Sequence, residues 1–301
     1  MNILLFGKNG QVGWELQRSL AVLGAVTALD FDSTGHCGDF SDPDGIAQTV
    51  RALRPDVIVN AAAHTAVDKA EGEPDRVRLL NATAPGALAR AAAGLDAWLV
   101  HYSTDYVFDG SGARPWVETD APAPLSVYGR TKWESEQLIA QSGCRHLILR
   151  TSWVYGARGG NFAKTMLRLA AERERLTVVD DQWGAPTGAD LLADVTAHAL
   201  RHLQARPEDG GLYHCVAAGE TNWHAYANYV LAQARQAQPA LEIKATEIAP
   251  VPTSAFPTPA TRPHNSRLDT RKLQETFGLV LPPWQQGVAR MLAEILREDP
   301  P

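Results

Sequence analysis

Met1-Asn-Ile-Leu-Leu-Phe-Gly-Lys-Asn-Gly-Gln-Val-Gly13 begins the chain and is the stretch that decides its fold. The apolar run over Asn2–Phe6 predicts a buried strand, and helical spacing follows over Val12–Leu23. The glycines between them form a G-x-x-G-x-x-G pattern, which allows a tight turn and close approach of the backbone to a phosphate. Between a strand and a helix, this turn predicts dinucleotide binding, and a tight turn without a ligand is the alternative.

Strands and helices alternate through the first half of the chain. Apolar runs that predict strands occur at Ala25–Leu29, Asp56–Asn60, Ala97–Tyr102 and Arg145–Thr151. Helical spacing fills the intervals over Pro43–Leu53, Arg76–Ala93 and Ser126–Ser142. Continuous apolar strands between helices are typical of a parallel sheet that is covered on both faces. The fold class is therefore predicted as α/β, with a Rossmann-like, doubly wound parallel sheet.

The alternation weakens after Val154, which predicts a domain boundary there. We expect residues 1–154 to form the dinucleotide-binding Rossmann-like domain and residues 155–301 to form a smaller C-terminal substrate-binding domain that acts as a lid. Helical spacing in this half covers Phe162–Glu174, Ala189–Leu203, Trp223–Ala237 and Pro283–Arg297. The helix at 189–203 is a candidate to return to the sheet. Ligands bind beyond the carboxyl ends of parallel strands, so the lid is expected to close there.

Composition argues against several classes of protein. The chain has 301 residues, is 45% hydrophobic and 21% charged, and carries a net charge of -6. This acidity argues against a general nucleic-acid binder, which needs a basic face. No apolar run approaches about 18 uncharged residues, and the N-terminus lacks signal-peptide features, so we expect no membrane association. The scattered Cys37, Cys144 and Cys215 favour reduced thiols in the cytoplasm over disulfides or a zinc site.

Tyr128 and Lys132 form a Tyr-x-x-x-Lys pair on the helix predicted at 126–142. This spacing puts a phenol and an ammonium one turn apart on the same face. A nearby cation favours the phenolate, which would lower the tyrosine pKa toward the working pH and suit it to proton transfer. The alternative is an exposed helix that carries two unrelated polar side chains.

His101-Tyr-Ser-Thr-Asp-Tyr-Val-Phe108 ends the neighbouring predicted strand with polar side chains. Ser103 or Thr104 could hydrogen-bond both the reacting oxygen and Tyr128, although a strand-terminal turn also explains such hydroxyls. The strand tip, the Tyr-x-x-x-Lys pair and the glycine turn occur in the order that a hydride-transfer site needs. We therefore interpret the three together as such a site.

Asp30 ends the second predicted strand, where an acid can accept hydrogen bonds from the adenosine ribose. Its charge would repel a 2′-phosphate and favours NADH, although Lys8 could offset a phosphate and a turn aspartate is the alternative. Asp39-Phe40 could bracket the adenine. Ala61-Ala-Ala-His-Thr65 is small enough to pass beneath the cofactor, and for its histidine we expect a local hydrogen bond rather than a metal.

These residues resemble the dTDP-4-dehydrorhamnose reductase family of the extended short-chain dehydrogenase/reductase superfamily. Runs at 1–8, 60–71 and 103–110 are shared broadly within the superfamily. More particular to the family are Arg150-Thr-Ser-Trp-Val-Tyr155, Gln182-Trp-Gly-Ala-Pro-Thr-Gly188 and Arg262-Pro-His-Asn-Ser-Arg267. The resemblance covers essentially the whole chain. It implies reduction of the C4 ketone of dTDP-4-dehydro-β-L-rhamnose by NADPH or NADH, the last step of dTDP-L-rhamnose biosynthesis for cell-surface polysaccharide such as lipopolysaccharide O-antigen.

The resemblance also implies roles for single residues. Tyr128 would donate the proton, Lys132 would position the cofactor ribose and lower the tyrosine pKa, and Thr104 would hydrogen-bond near the reacting oxygen. The cofactor would lie along Gly7 and Gly13 of the turn and along Gly10, Gln11, Val12, Asp30, Asp39, Phe40, Ala63, His64, Thr65, Tyr102, Tyr128 and Lys132.

Substrate contacts follow from the same resemblance. Asp105 and Trp153 would contact the sugar nucleotide, as would Thr104. Arg262 and Arg267 are candidates for the pyrophosphate through charge-assisted hydrogen bonds, with a solvated loop as the alternative.

Some members of the family carry Mg²⁺ in an acidic cluster at a dimer contact, which implies a homodimer. The matching positions are Glu15, Asp190 and Glu294, and hard carboxylate oxygens suit Mg²⁺. Members often have a glutamate where this chain has the shorter Asp190. Three acids on solvated helix faces are the alternative.

Two other functions stay open at this point. One is a reductase or epimerase of another nucleotide sugar with the same fold. The other is a non-catalytic regulatory subunit of a methionine adenosyltransferase, which is the role of a close relative of the family. The intact Thr104, Tyr128 and Lys132 disfavour the regulatory role.

Overall fold

A computed structural model describes residues 1–296 of the protein. The strands are β1 Asn2–Phe6, β2 Ala25–Leu29, β3 Val57–Asn60, β4 Trp98–Thr104, β5 Arg145–Thr151, β6 Val154–Tyr155, β7 Arg175–Val179, β8 Trp183–Gly184, β9 Thr187–Gly188, β10 Gly211–His214, β11 Thr221–Asn222 and β12 Glu247–Val251. The helices are α1 Gln11–Ala21, α2 Pro43–Leu53, α3 Val67–Ala70, α4 Pro74–Arg78, α5 Ala84–Ala93, α6 Val127–Gln141, α7 Phe162–Glu172, α8 Ala189–Leu203, α9 Trp223–Ala237, α10 Arg271–Phe277 and α11 Trp284–Leu296. Short 3₁₀ segments cover Asp105–Val107, Pro207–Asp209 and Thr253–Ala255.

The central sheet has six parallel strands in the order β10-β5-β4-β3-β1-β2. The interiors of β1, β3, β4 and β5 are mostly buried, which is why a parallel arrangement that is covered on both faces suits them, whereas the edge strand β2 is more exposed. The chain order reverses between β1 and β3, and this reversal creates a crevice at the carboxyl ends of the strands. The predicted α/β, Rossmann-like fold is confirmed.

Helices cover both faces of the sheet. One core cluster joins the sheet to α1 through Leu16 and Leu20 and to α8 through Leu192 and Leu200. The opposite cluster packs side chains of α2, α5 and α6 against the other face. The amphipathic helices therefore bury their apolar stripes against the strands, as the alternating sequence pattern predicts.

The C-terminal half has a core of its own and also contributes to the sheet. Side chains of α7, α9 and α11 pack around Tyr226 and Trp284 beside the parallel pair of β7 and β12. The helix at 189–203 packs against the sheet, and β10 adds the sixth strand, which the sequence analysis did not predict. The boundary at 154 stays a proposal, with residues 189–214 packed on the sheet side of it. Arg297, the predicted end of the last helix, and the predicted domain end at 301 lie outside the described residues.

The predicted helix over 76–93 is the least regular element. It begins at Pro74, and a π-helical segment at Leu79–Thr83 separates α4 from α5. Within residues 1–296, no helix combines the length and hydropathy needed to span a membrane.

Candidate active site

The predicted functional residues lie along the carboxyl edge of the sheet. The glycine turn follows β1, Asp30 follows β2, the segment 61–65 follows β3, Thr104 ends β4 and Trp153 follows β5. Since parallel strands end at the same edge, the topology alone gathers these segments on the two sides of the crevice between β1 and β3.

The turn after β1 brings the N-terminus of α1 close to the crevice. A methyl group on Gly13 would lie 1.9 Å from the Gly7 carbonyl oxygen, so only glycine lets α1 start this near the loop. The Gly10 N–H donates to the same oxygen at 3.1 Å. No side chain of the described residues caps α1, so the N–H groups of Gln11 and Val12 are free to face an anion at the positive end of the helix dipole.

Asp30 stabilises this loop itself. Its carboxylate accepts hydrogen bonds from the Asn9 N–H at 3.0 Å and the Phe31 N–H at 2.9 Å. The carboxylate is therefore fixed at the end of β2, where the sequence predicts a ribose contact. It also has the turn-forming role that was the alternative.

Asp39 and Phe40 lie farther along the same edge. Asp39 accepts a hydrogen bond from the Ser41 N–H at 2.8 Å. The Phe40 ring is 5% exposed and packs edge-to-face on Phe6 with ring centroids 5.5 Å apart. Because this ring belongs to the core, the predicted bracketing of an adenine can involve only its rim or backbone.

An asparagine of the π-helical segment fixes the backbone of the segment with Ala63, His64 and Thr65 through hydrogen bonds. Asn81 accepts from the His64 N–H at 2.8 Å and donates to the His64 carbonyl oxygen at 3.0 Å. The local hydrogen bonding expected for His64 is thus made by its backbone, whereas its buried Nδ1 has no partner among residues 1–296. Tyr102, also predicted at the cofactor, shares a hydrogen bond of 2.7 Å with Thr196 of α8.

A capped and closely packed helix start positions Tyr128. Ser126 caps α6 by accepting from the Gly129 N–H at 3.1 Å. A methyl group on Gly129 would lie 2.2 Å from the Tyr106 carbonyl oxygen, so the glycine allows α6 to approach the segment that follows β4. The rings of Tyr106 and Tyr128 then meet edge-to-face with centroids 5.6 Å apart. This packing fixes Tyr128 beside the strand tip that carries Thr104.

Burial governs the protonation of Tyr128. Desolvation raises its pKa to about 12, a hydrogen bond with Thr104 opposes the shift, and the Asp105 charge adds to it. The sequence-based expectation was a pKa lowered by Lys132, and it is not met because burial dominates the shift of the Tyr128 pKa and Lys132 is not among its causes. A tyrosine with this pKa is protonated at neutral pH, which suits a proton donor.

Lys132 lies one turn after Tyr128 and is 2% exposed. Burial lowers its pKa to about 7, and the nearby Glu136 carboxylate partly offsets this shift. Its Nζ is 3.0 Å from Nε2 of His101, a residue of β4. Lys132 is therefore a buried amine near its titration point rather than a permanent surface cation.

Asp105 lies next to Thr104 and is 2% exposed. It accepts a hydrogen bond from the Thr104 hydroxyl at 3.0 Å, while its other oxygen has no partner among residues 1–296. Burial raises its pKa to about 6, against the opposing effects of hydrogen bonds with Ser266 and Thr104. A buried carboxylate with a free lone pair is suited to accept a hydrogen bond from a ligand hydroxyl.

Trp153 has a strained backbone and a stacked side chain. Its φ of 48° is in the left-handed region, which bulky residues rarely adopt. Its indole stacks on Trp223 with centroids 3.6 Å apart and planes 16° apart. Trp223 in turn donates to the Gln182 side-chain oxygen at 3.1 Å. The packing therefore holds Trp153 at the end of β5 in a conformation that its backbone alone would disfavour.

The two predicted pyrophosphate arginines have different surroundings. Arg262 lines a largely apolar cavity of about 610 Å³ together with Asp68, Tyr106, Phe162, Gln182 and Trp223. It pairs with Asp68 at 2.7 Å. Arg267 instead pairs with Glu220 at 2.8 Å, lies over the Trp183 ring and donates to the Ala113 carbonyl oxygen. Arg262 could therefore contact a ligand in this cavity, whereas the contacts of Arg267 connect neighbouring loops.

The predicted metal residues share one surface cavity of about 260 Å³, which is lined by Glu15, Asp190 and Glu294 but also by Arg18 and Arg290. Glu15 lies 3.5 Å from Arg18, and Asp190 lies 3.5 Å from Arg290. Within the described part of the chain, no group of three acidic, histidine or cysteine side chains could hold a metal ion. Because the guanidinium groups compete for the same carboxylates, these residues do not fit Mg²⁺ in a single chain.

Sequence reasoning missed several residues of this site. Asn81 and Asp68 had no motif to mark them, although an asparagine inside an alanine-rich helix is a weak signal. Tyr106 was quoted as part of a strand tip without a role. Trp223 was read only as the start of a helix, because its stacking partner is distant in the sequence.

Comparison with known proteins gives the family. The model of the family described as "RmlD substrate binding domain" matches residues 1–297. A dTDP-4-dehydrorhamnose reductase of Shigella flexneri is 62% identical over 295 residues, which cover 98% of each chain. The crystal structure of a dTDP-4-dehydrorhamnose reductase from Clostridium acetobutylicum is 33% identical, with a TM-score of 0.87 and coverage of 98% of this chain and 99% of that one. The corresponding Bacillus anthracis enzyme, solved in complex with NADP, is 33% identical, with a TM-score of 0.86 and coverage of 97% and 99%. These matches confirm the resemblance, and the chain belongs to the RmlD substrate-binding-domain family.

Proposed function

We propose that the protein reduces the C4 ketone of dTDP-4-dehydro-β-L-rhamnose with NAD(P)H to give dTDP-β-L-rhamnose. The observation that carries the proposal is that the partly buried Tyr128 and the buried Thr104 and Lys132 lie at the same sheet edge as the glycine turn. The 62% identity to the Shigella flexneri dTDP-4-dehydrorhamnose reductase over 98% of each chain supports the substrate. The complex of the Bacillus anthracis relative with NADP supports the reductant.

The proposed chemistry divides between a bound dinucleotide and the side chains of the chain. When bound, the reduced nicotinamide supplies the hydride for C4. Tyr128, protonated at neutral pH, donates its proton to the ketone oxygen as negative charge develops there. Thr104 hydrogen-bonds Tyr128, and it stabilises the phenolate that remains when its hydroxyl proton turns from Asp105 to the phenolate oxygen. Lys132 would contact the cofactor ribose, and the Tyr128 phenolate takes up a proton from solvent before the next turnover.

The nucleotide part of the substrate is assigned to the cavity of about 610 Å³. Its apolar wall, with Phe162 and Trp223, suits a base, and Arg262 at its rim suits a phosphate. Arg262 is the stronger candidate of the two predicted arginines, since it lines this cavity whereas Arg267 is not among the lining residues. Asp105 and Trp153 would face the sugar between this cavity and Tyr128.

Cofactor preference is a finer part of the proposal. Asp30 would accept hydrogen bonds from a ribose, which favours NADH, whereas the NADP complex of the Bacillus anthracis relative favours acceptance of a 2′-phosphate. We expect both coenzymes to be used. Parallel assays of NADH and NADPH oxidation with the dTDP-4-keto sugar, and with UDP-4-keto sugars, test this expectation. Turnover only with a UDP sugar would favour the alternative of another nucleotide-sugar reductase or epimerase.

The regulatory-subunit alternative has its own test. The buried Lys132 favours catalysis, because a purely structural helix does not need a buried amine. Coenzyme oxidation by the isolated chain would eliminate the alternative. Co-purification with a methionine adenosyltransferase and no turnover would support it.

We further propose a cytoplasmic location, because the reductant is a cytoplasmic coenzyme and Cys37, Cys144 and Cys215 are all free thiols. A homodimer is also proposed, through the surface that carries Glu15, Asp190 and Glu294. Since these residues do not fit Mg²⁺ within one chain, no step of the reaction is assigned to a metal. Light scattering of the purified protein tests the dimer.

A further inference from the structure

A buried polar cluster surrounds the amine of Lys132, and its other members take no part in the proposed reaction. It joins Asn60 at the end of β3, His101 of β4, and Ser135 and Lys132 of α6. All four residues are at most 2% exposed. Buried polar groups of this kind persist only when their hydrogen bonds are matched, so the direction of each bond can be deduced from its partners.

The Asn60 amide determines the tautomer of His101. Its oxygen accepts from the Ala62 N–H at 3.0 Å, which leaves the NH₂ group facing His101 Nδ1 at 3.1 Å. The NH₂ group can only donate, so Nδ1 must be the acceptor. A neutral imidazole then carries its proton on Nε2.

Ser135 leads to the same assignment. Its hydroxyl donates to the Lys132 carbonyl oxygen at 2.5 Å. The Ser135 oxygen, 3.0 Å from His101 Nε2, must therefore accept in that second contact. The hydrogen bonds of Asn60 and of Ser135 therefore both require the proton of His101 to be on Nε2.

This tautomer withholds a hydrogen-bond acceptor from Lys132. The Lys132 Nζ lies 3.0 Å from Nε2, but that nitrogen presents N–H rather than a lone pair. Glu136, one turn farther along α6, is occupied by Arg150 at 2.6 Å and 2.9 Å and by Ser103 at 2.5 Å. Among residues 1–296, Lys132 thus has no acceptor for an ammonium proton on its interior side.

We propose that Asn60 and His101 are positioning residues that, by fixing the Nε2–H tautomer, direct the ammonium protons of Lys132 to the ligand side of the crevice. The proposal rests on the role of Lys132 in the proposed function. It deepens that role, because Lys132 keeps its charge by binding ligand hydroxyls rather than by donating to the interior.

The charged groups around Lys132 agree with this arrangement. On α6 these groups are Tyr128 and Glu136; β5 contributes Arg150, which neutralises Glu136. Burial and the Lys132 charge hold the pKa of His101 well below its ordinary value, so the ring stays neutral. Asp105, which follows β4, acts on Tyr128.

Asn60→Asp tests the tautomer with little change of shape. The aspartate keeps an oxygen for the Ala62 N–H and replaces the donor that faces Nδ1 with an acceptor. The proton of His101 should move to Nδ1, and Nε2 should then accept a hydrogen bond from Lys132. We expect the Lys132 pKa to rise by at least about one unit, a tenfold change in its proton affinity, because the new carboxylate and the new acceptor at Nε2 both favour the ammonium; the His101 spectrum judges the tautomer itself. The matched control is Asn228→Asp, which alters an exposed asparagine 3.1 Å from His224 Nε2.

Two NMR measurements decide the proposal. Long-range ¹⁵N–¹H spectra of histidine-labelled protein should show His101 as the Nε2–H tautomer in the wild type and as the Nδ1–H tautomer in Asn60→Asp. Titration of labelled lysine should show the Lys132 shift in Asn60→Asp and no change in Asn228→Asp. An Nδ1–H or cationic His101 in the wild type would overturn the proposal, and this measurement needs no variant. An unchanged Lys132 titration in folded Asn60→Asp would do so too.

Kinetics separates this proposal from the proposed function. If Lys132 acts as proposed, the limb of the kcat/KM pH profile that reports it should move to higher pH in Asn60→Asp. Failure of the protein to turn over the keto sugar would refute the proposed function and leave the NMR result to judge the pair. Wild-type turnover with the wrong His101 tautomer would refute only the positioning pair.

Discussion

At the scale of single residues, burial decides the protonation of the site. Tyr128, Lys132 and Asp105 all have pKa values displaced toward their neutral forms, to about 12, about 7 and about 6. Each shift has desolvation as its largest cause, with neighbouring groups as smaller corrections. At neutral pH Tyr128 is therefore neutral, Lys132 is near its titration point and Asp105 is mostly ionised, so the charge of the site can respond to its ligands.

Asp105 gives a stability prediction at this scale. Its pKa of about 6 in the folded protein exceeds the ordinary 3.8, so its contribution to stability is full below about pH 4 and is lost as the pH rises through 6. Asp105→Asn should therefore gain, relative to wild type, on the order of 2–3 kcal/mol in free energy of unfolding between pH 4 and pH 8. Urea unfolding across this range measures the difference, with Asp109→Asn as the control. A difference that does not vary with pH would show that Asp105 titrates normally.

The sequence predicted the identity of these residues better than their state. The order of the glycine turn, strand tip and Tyr-x-x-x-Lys pair predicts Thr104, Tyr128 and Lys132 as site residues, and this assignment stays a prediction. The direction of the Tyr128 shift could not be predicted, because the sequence shows a neighbouring cation but not the depth of burial. Asn60 and His101 were invisible for a related reason, since their contact depends on the register between β3 and β4.

At the scale of elements, the start of α1 is the most constrained feature. A methyl group on Gly13 would lie 1.9 Å from the Gly7 carbonyl oxygen, which no side chain allows. A methyl group on Gly10 would lie at an ordinary 3.4 Å from the same oxygen. The two glycines therefore serve different purposes. Gly13 permits packing, and Gly10 leaves the N-terminus of the helix open to an anion.

Alanine substitutions separate the two purposes. Gly13→Ala should destabilise the protein by about 1–3 kcal/mol or more, because α1 must move away from the loop. Gly10→Ala should cost no more than about 1 kcal/mol of stability but weaken NADPH binding, because its methyl group obstructs the pyrophosphate. Urea unfolding and fluorescence titration with NADPH measure both quantities. Equal destabilisation by the two variants would refute the distinction.

Helix α6 carries a buried and an exposed ion pair, which allows a matched comparison. Glu136 and Arg150 have side chains 7% and 3% exposed, whereas Glu134 and Arg78 are 29% and 61% exposed. Glu136→Gln should cost about 3–5 kcal/mol, because it leaves a buried guanidinium without a counter-charge. Glu134→Gln should cost less than about 1 kcal/mol. Similar losses of unfolding free energy in the two variants would mean that burial does not determine how much an ion pair contributes to stability.

The alternating elements of the first half were predicted closely, because each strand is a continuous apolar run bounded by turn residues. The strand β10 was missed, since Gly211–His214 is short and has no such run. The pair of β7 and β12 was missed because each has an alternating or proline-containing pattern that is also common in loops. The sheet is therefore completed by a segment that only tertiary packing identifies.

At the scale of the whole molecule, the chain forms a crevice between a sheet edge and a helical C-terminal core. The pairing of Asp68 with Arg262 links the segment after β3 to the C-terminal half across the cavity of about 610 Å³. Tyr106 lines this cavity and packs edge-to-face on Tyr128, so the cavity extends to the segment that follows β4. This arrangement explains how a hydride donor and a keto sugar could reach the same tyrosine.

Removal of metal should not affect the reaction. Glu15, Asp190 and Glu294 share their cavity with two arginines, and no step is assigned to a metal. Turnover of the dTDP-4-keto sugar should therefore be the same before and after treatment with EDTA. A loss of activity that Mg²⁺ restores would show that a second copy of the chain completes a metal site.

We propose that Tyr128 protonates the sugar ketone. The rate of NADPH oxidation by Tyr128→Phe with dTDP-4-dehydro-β-L-rhamnose measures its contribution. Tyr229→Phe is the control, because its hydroxyl donates to Gln285 in the C-terminal core, away from the crevice. We predict that Tyr128→Phe lowers kcat by about 10²–10⁴-fold while the Kd for NADPH stays near the wild-type value. A Tyr128→Phe protein that turns over the sugar as fast as the Tyr229→Phe control would contradict the claim.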